Sequence, residues 1–272
     1  MSIGAAALAA GMPATEAAAQ EPFDVTIDGG IAFSDFSNQT FEDKIGSGLS
    51  FGRDVGFFGS IAVSRQISDA WDWRVSGSFI GMRENTLSVE FDDDDDDDDD
   101  DSVSLDQQLS GFSADVGIGR KIMMGKTEVR LGFGLVGASY NQEIAQLFVF
   151  DGKGIGFETD IEYRGFGAKL SADVAHPISA DGRLTLIGGG SVAPTNGDFE
   201  LGPSGSSGIT LDGSALLSSA YLGLSMQRNE TTALRMGVRV DRFDGKVDGG
   251  GFGILDEAAT TTSAFVGLNI QF

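Results

Sequence analysis

Few side chains in this 272-residue sequence could do chemistry, and their positions narrow what that chemistry can be. There is no cysteine, which excludes thiolate metal sites, cysteine nucleophiles and a disulfide scaffold. The one histidine, His176, stands directly before Pro177 in the stretch HPISADGR. General-base chemistry needs a group of near-neutral pKa held against a nucleophile or water. A lone histidine in a turn reads as a solvated residue. No catalytic residue and no cofactor are assigned on this basis.

Ten consecutive aspartates, Asp92–Asp101, form the densest cluster of ionisable groups. Adjacent carboxylates repel one another, extend the chain and attract counter-ions. The run could gather divalent cations weakly, but it lacks the spacing and bend glycine of a calcium loop. It reads as a low-complexity, solvated loop tip, and no metal site is assigned. The stretch DGGGFGILDE (248–257) brushes against the glycine-rich calcium repeat, yet occurs once where several stacked copies are needed. The net charge of −23 and the absence of clustered Lys and Arg exclude nucleic acid as a partner.

The remaining ionisable residues follow a rule of parity. Arg74, Asp115, Arg130, Lys169, Asp173, Arg235 and Arg239 alternate with apolar neighbours and always occupy the opposite phase. Around Arg130 the apolar phase is Val129, Leu131, Phe133 and Leu135; around Arg235 and Arg239 it is Leu234, Met236, Val238 and Val240. The charged phase is otherwise small, with Gly117, Gly132, Gly165, Ser76 and Ser78 among its members. Period-two alternation marks β-strands. A phase that is both charged and small suits a narrow barrel interior better than a solvated face. On this reading Arg74, Asp115, Arg130, Lys169, Asp173, Tyr221, Arg235 and Arg239 line the lumen. The apolar phase then faces lipid, where Arg or Lys at mid-depth costs about 2–4 kcal/mol.

Ten segments show the alternation: 23–33, 55–66, 71–82, 107–121, 128–140, 161–175, 183–192, 213–226, 232–243 and 260–272. Short polar turns and long polar or glycine-rich connections strictly take turns between them. The long ones are 34–53, 83–106, 141–160, 193–212 and 244–259. Tight periplasmic turns with longer external loops organise outer-membrane barrels this way. The expected fold is all-β: a closed, up-and-down antiparallel transmembrane β-barrel of about ten strands, with eight to twelve compatible with the pattern. Each segment supplies the roughly 9–11 residues that a tilted strand needs to cross the hydrocarbon layer.

Residues 1–19 read as a signal peptide that ends on Ala17-Ala18-Ala19, although Lys and Arg are missing from it. Residues 20–272 form the barrel domain, with an Asp-rich external loop at about 83–106. The sequence closes on TTTSAFVGLNIQF, where Ala264, Val266, Leu268, Ile270 and Phe272 alternate to the final residue. A strand of this kind would invite aggregation at a soluble edge. As the closing strand of a barrel it resembles the C-terminal signal read by the barrel-assembly machinery of Gram-negative outer membranes.

The stretches DVTIDGGIAFSDF, FFGSIAVSRQISDAWDWRVSGSFIG, YRGFGAKLSADVAHPIS and LTLIGGGSV together resemble the Legionella-type major outer-membrane protein family. That resemblance covers most of 23–272 and implies a porin-like channel for ions or small solutes. The alternative is a non-conducting structural or surface-interaction (adhesin-like) barrel. Outer-membrane lipid, lipopolysaccharide and the assembly machinery are the implied partners. Omptin-type proteolysis also uses a ten-stranded barrel, but it needs a His–Asp pair on outer loops, and no predicted outer loop here contains His. The chain therefore reads as a non-enzyme.

Overall fold

The computed structural model describes residues 22–36, 54–83, 85–91, 101–150, 153–203, 208–247 and 256–272. The leader expected at 1–19 and nine of the ten aspartates lie outside them; Asp101 opens a strand. Eleven strands follow in order: β1 (Phe23–Phe36), β2 (Asp54–Ser68), β3 (Trp71–Met82), β4 (Asn85–Phe91), β5 (Asp101–Met124), β6 (Thr127–Phe150), β7 (Lys153–Pro177), β8 (Leu184–Gly202), β9 (Ile209–Gln227), β10 (Thr232–Val247) and β11 (Asp256–Gln271).

Consecutive strands pair antiparallel, β1 pairs with β11, and β3 pairs with β5, so ten strands close into an up-and-down barrel. The eleventh, β4, stands above β3. The lower part of β5 (110–120) pairs with β3, and its upper part (101–107) pairs with β4. The sequence places a loop at 83–106; two strand arms occupy most of it.

Two other expected loops are also largely strand. Residues 141–150 and 153–160 extend β6 and β7 as one continuous ladder to Phe150 and Lys153. β8 runs to Gly202 and β9 starts at Ile209, inside the connection expected at 193–212. Pro194 explains why β8 was expected to stop at 192. It has no N–H to give, and the β7–β8 ladder lapses between the pairs Gly167↔Thr195 and Leu170↔Val192 before resuming in the same register. At the opposite end the connections are tight. Gly125 turns β5 into β6 with a φ of 67°, a left-handed conformation that costs glycine little.

The apolar phase faces outward. Phe112, Leu131 and Val238 are exposed, as are Ile27, Phe133, Leu170 and Val266, whereas Arg130 is only 6% exposed. A closed barrel has no unpaired edge within the membrane, and its backbone polar groups are satisfied strand to strand. Greasy exteriors of this kind belong in hydrocarbon. Val238→Arg is therefore expected to lower the free energy of folding into liposomes by about 2–4 kcal/mol, read from urea midpoints. Asp212→Arg, outward but above the apolar band, should change it by no more than about 1 kcal/mol.

Candidate functional site

The barrel interior holds two stacked layers of different chemistry. Nearer the chain termini is a network of ion pairs. Arg130 (β6) grips Asp72 (β3) with Nε at 2.8 and 3.0 Å and Nη2 at 2.6 Å, and its Nη1 reaches Asp173 (β7) at 3.5 Å. Asp173 is the hub: it also accepts from Arg74 Nη1 at 2.9 Å and from the Tyr221 hydroxyl at 3.0 Å. Lys169 Nζ and Ser76 Oγ meet on Asp115 Oδ2, at 2.8 and 2.6 Å. Arg235 donates to Asp28 at 3.1 Å, and Arg239 makes a two-pronged contact with Asp241.

Strand register accounts for these pairings. Arg130 lies directly opposite Asp173 across β6–β7, and Asp28 opposite Gly267, which leaves room for Arg235 from the next strand. Glycine supplies the space for Arg130. A Cβ at Gly119 would occupy the volume of its guanidinium, and one at Gly132 would meet Nη1 and the Ser171 hydroxyl. Each of the five cations has a carboxylate oxygen within 3.1 Å. Their attraction is strong where water is scarce, because the effective dielectric there is far below that of bulk solvent.

Above this network the interior turns apolar. Tyr163 and Phe199 are each 1% exposed, with ring centroids 4.8 Å apart; Tyr163 also meets Phe243 at 5.4 Å, and Tyr140 meets Phe243 at 4.5 Å. Ala32, Phe58, Met82, Leu109, Ala215 and Phe265 complete the buried cluster, with Ile80, Ile144 and Leu217 packed against it. Every one of the ten barrel strands contributes to this layer. The Tyr163 hydroxyl is satisfied by Thr195 Oγ1 at 2.6 Å, which in turn donates to the Ala215 carbonyl. Arg239 joins the two layers, its Cζ lying 4.8 Å from the Phe58 ring centroid.

A cavity of about 230 Å³ is bordered by the charged network and by Phe58, Tyr140, Phe243 and Phe265 from the apolar layer. All eight residues singled out for the lumen border it: Arg74, Asp115, Arg130, Lys169, Asp173, Tyr221, Arg235 and Arg239. Tyr163 and Phe199 lie beyond it. The sequence reading passed over this aromatic layer. Its signal was available in Phe265, Phe243 and Tyr140, large rings sitting on the phase that elsewhere carries Gly, Ser and charge.

His176 lies at the far end of β7, beside the tight turns, with Nδ1 2.8 Å from Thr127 Oγ1 on the exposed surface. Among the described residues, no group of three or more acidic or histidine side chains is arranged to hold a metal ion. In β11, Ala264, Val266 and Leu268 face outward, Ile270 is half-buried and Phe272 is exposed. The backbone of Phe272 exchanges hydrogen bonds with Phe23 at 2.9 and 3.2 Å, which closes the barrel at its last residue.

No family model matches the sequence, and no curated protein matches it either. The likeness is to solved structures. The outer-membrane protease OmpT of Escherichia coli aligns over 95% of this chain and 99% of its own, with a TM-score of 0.60 at 10% identity. The fold is that of a Gram-negative outer-membrane β-barrel. The translocator domain of the autotransporter NalP from Neisseria meningitidis covers 92% of this chain and 89% of its own, at 12% identity and a TM-score of 0.49. An outer-membrane channel from Pseudomonas putida F1 covers 94% and 97%, at 12% identity and a TM-score of 0.41. At 10% identity the likeness to the protease is one of fold alone, so function has to be argued from the interior and the rims. The specific Legionella-type family has no sequence match behind it; the broader class of outer-membrane barrels does have structural support.

Proposed function

We propose that this protein is a non-conducting outer-membrane barrel whose working surface is its outer end. The observation that carries this reading is the transverse aromatic layer. Ten strands contribute to it, and its central rings are almost inaccessible to solvent. A ten-stranded barrel is near the size at which side chains fill the interior. The ion-pair network supports the same reading, because each of its cations is paired with a carboxylate of the barrel itself. Extension of β5, β6 and β7 to 24 or 25 residues supports it too. Such strands are more than twice as long as the bilayer requires. The cavity of about 230 Å³ favours the porin-like reading, and that reading would require the aromatic layer to open.

Planar-bilayer recording of purified protein decides between them: the closed barrel gives a silent membrane, and stepwise current in the wild type overturns the proposal. The one histidine lies by the tight turns with Thr127 as its neighbour, away from the outer end.

The C-terminal residues Ala264, Val266, Leu268, Ile270 and Phe272 are assigned to recognition by the assembly machinery. Phe272→Ser removes the terminal ring and leaves the backbone bonds to Phe23 available. It should reduce the heat-modifiable, folded form in outer-membrane fractions several-fold, while refolding of the purified chain in detergent stays unchanged. Undiminished outer-membrane levels would remove the assignment.

A further inference from the structure

The cavity between the ion-pair network and the aromatic layer has a wall that neither layer explains. Strand register brings serines to one height in two arcs. Ser60, Ser78 and Ser113 are directly opposed across β2, β3 and β5, and Ser171, Ser191 and Ser219 across β7, β8 and β9. All six border the cavity. Large apolar side chains here would fill the interior; serine leaves it open and offers one donor and two acceptors. Ser78 and Ser113 share a bond of 2.9 Å, as do Ser191 and Ser219. Among the described residues, the hydroxyls of Ser60 and Ser171 have no hydrogen-bond partner. Toward the outer end the same cavity meets the rings of Phe58, Tyr140, Phe243 and Phe265.

We infer that this cavity is a binding chamber for a neutral, polyhydroxylated molecule the size of a monosaccharide, entered from the periplasmic end. The inference rests on the closed-barrel reading, because the aromatic layer is the chamber's roof.

Charge, wall chemistry and volume select this occupant. The five cations of the network pair with five different aspartates, so an entering ion would have to part a pair. A neutral ligand need not. Hydroxyls on the wall and ring faces at the roof match a sugar, which carries O–H groups around its rim and C–H groups on its faces. The volume of about 230 Å³ equals roughly seven or eight water volumes of about 30 Å³ each. A monosaccharide fits that space and a disaccharide does not. Exposure gives the direction of entry. The Arg74 side chain, near the tight-turn end of β3, is 34% exposed, against 1% for Tyr163 and Phe199.

The test is methyl NMR of the full chain in lipid nanodiscs, labelled at threonine and isoleucine and titrated with glucose. Saturable shifts are expected at Thr261 and Ile80, which border the cavity, and none at lipid-facing Ile27 or at Thr210 on the outer surface. Ser60→Leu, which fills the chamber, should weaken binding about tenfold or more. Ser60→Ala and Ser171→Ala, each removing one hydroxyl, should weaken it about fivefold, and Thr210→Leu should leave it unchanged. Heat-modifiable migration identifies the folded variants, and the alanine pair carries the test if Ser60→Leu does not fold. Maltose, which is too large, and gluconate, which is charged, should give no saturable shift. No saturable shift with glucose leaves water as the occupant and overturns the proposal. Equal binding of gluconate or maltose overturns it too, as does wild-type affinity in the folded serine variants. Bilayer recording of the same preparation reports on the closed barrel separately. A silent membrane without glucose binding refutes the chamber alone; current together with saturable binding refutes the closed barrel and leaves the chamber standing.

Discussion

Replacing Tyr163 and Phe199 together with alanine should turn an electrically silent barrel into one that passes current in discrete steps. These two rings are the least accessible large side chains in the aromatic layer, and they lie on neighbouring strands at directly opposed positions. Their removal vacates the centre of the only layer, among the described residues, to which all ten barrel strands contribute. The cavity beneath would then open toward the outer end of the barrel. Losing a buried aromatic ring costs about 3–5 kcal/mol when the remaining void stays empty. Water entering from the outer mouth should lower that cost, and the interstrand ladder does not depend on the rings. Heat-modifiable migration reports whether the barrel persists. If it does, Phe243→Ala, which removes a ring that borders the cavity, should give a smaller rise in open events. A folded double variant that remained silent would place the barrier in the ion-pair network instead.

How much of this was legible beforehand depended on whether a residue's role followed from parity alone. Strand order and barrel closure did follow, because a charge at Arg130 or Lys169 cannot face lipid and a strand offers only two faces. The outer extensions did not. Residues 141–160 carry Asn, Gln, Glu, Asp and Lys with glycines at 152, 154 and 156, a composition that also describes a loop. Above the membrane both faces of a strand can be polar, so the alternation that signals a strand fades. Pro194 hid the upper half of β8 for a covalent reason, since proline usually ends pairing. The centre of the aromatic layer was missed for a third reason: Tyr163 and Phe199 each look ordinary within one strand. Their meaning appears only when register brings neighbouring strands to one height.

Arg130→Ala should destabilise the barrel by about 3–5 kcal/mol, the largest loss expected from any single charged residue. Its side chain and that of Asp72 are 7% and 4% exposed, and three contacts of 2.6 to 3.0 Å join them. The pair need not be a net gain over an apolar core. Removing one partner leaves the other desolvated and unsatisfied, and that penalty dominates the measurement. Asp72→Ala should therefore cost nearly as much. Replacing both residues, as Asp72→Leu with Arg130→Met, should recover a large part of the loss. Recovery would be incomplete because Asp173 forfeits one of its three donors. On the outer surface Arg164 pairs with Glu162 at 2.6 Å but is 70% exposed, so Arg164→Ala should cost no more than about 1 kcal/mol. Urea unfolding followed by the fluorescence of Trp71 and Trp73, which flank Asp72, compares all four variants. Equal, small losses for Arg130→Ala and Arg164→Ala would mean that water screens the interior as well as it screens the rim. The interior would then be wet enough to conduct, and the charged network could no longer be counted as part of the seal.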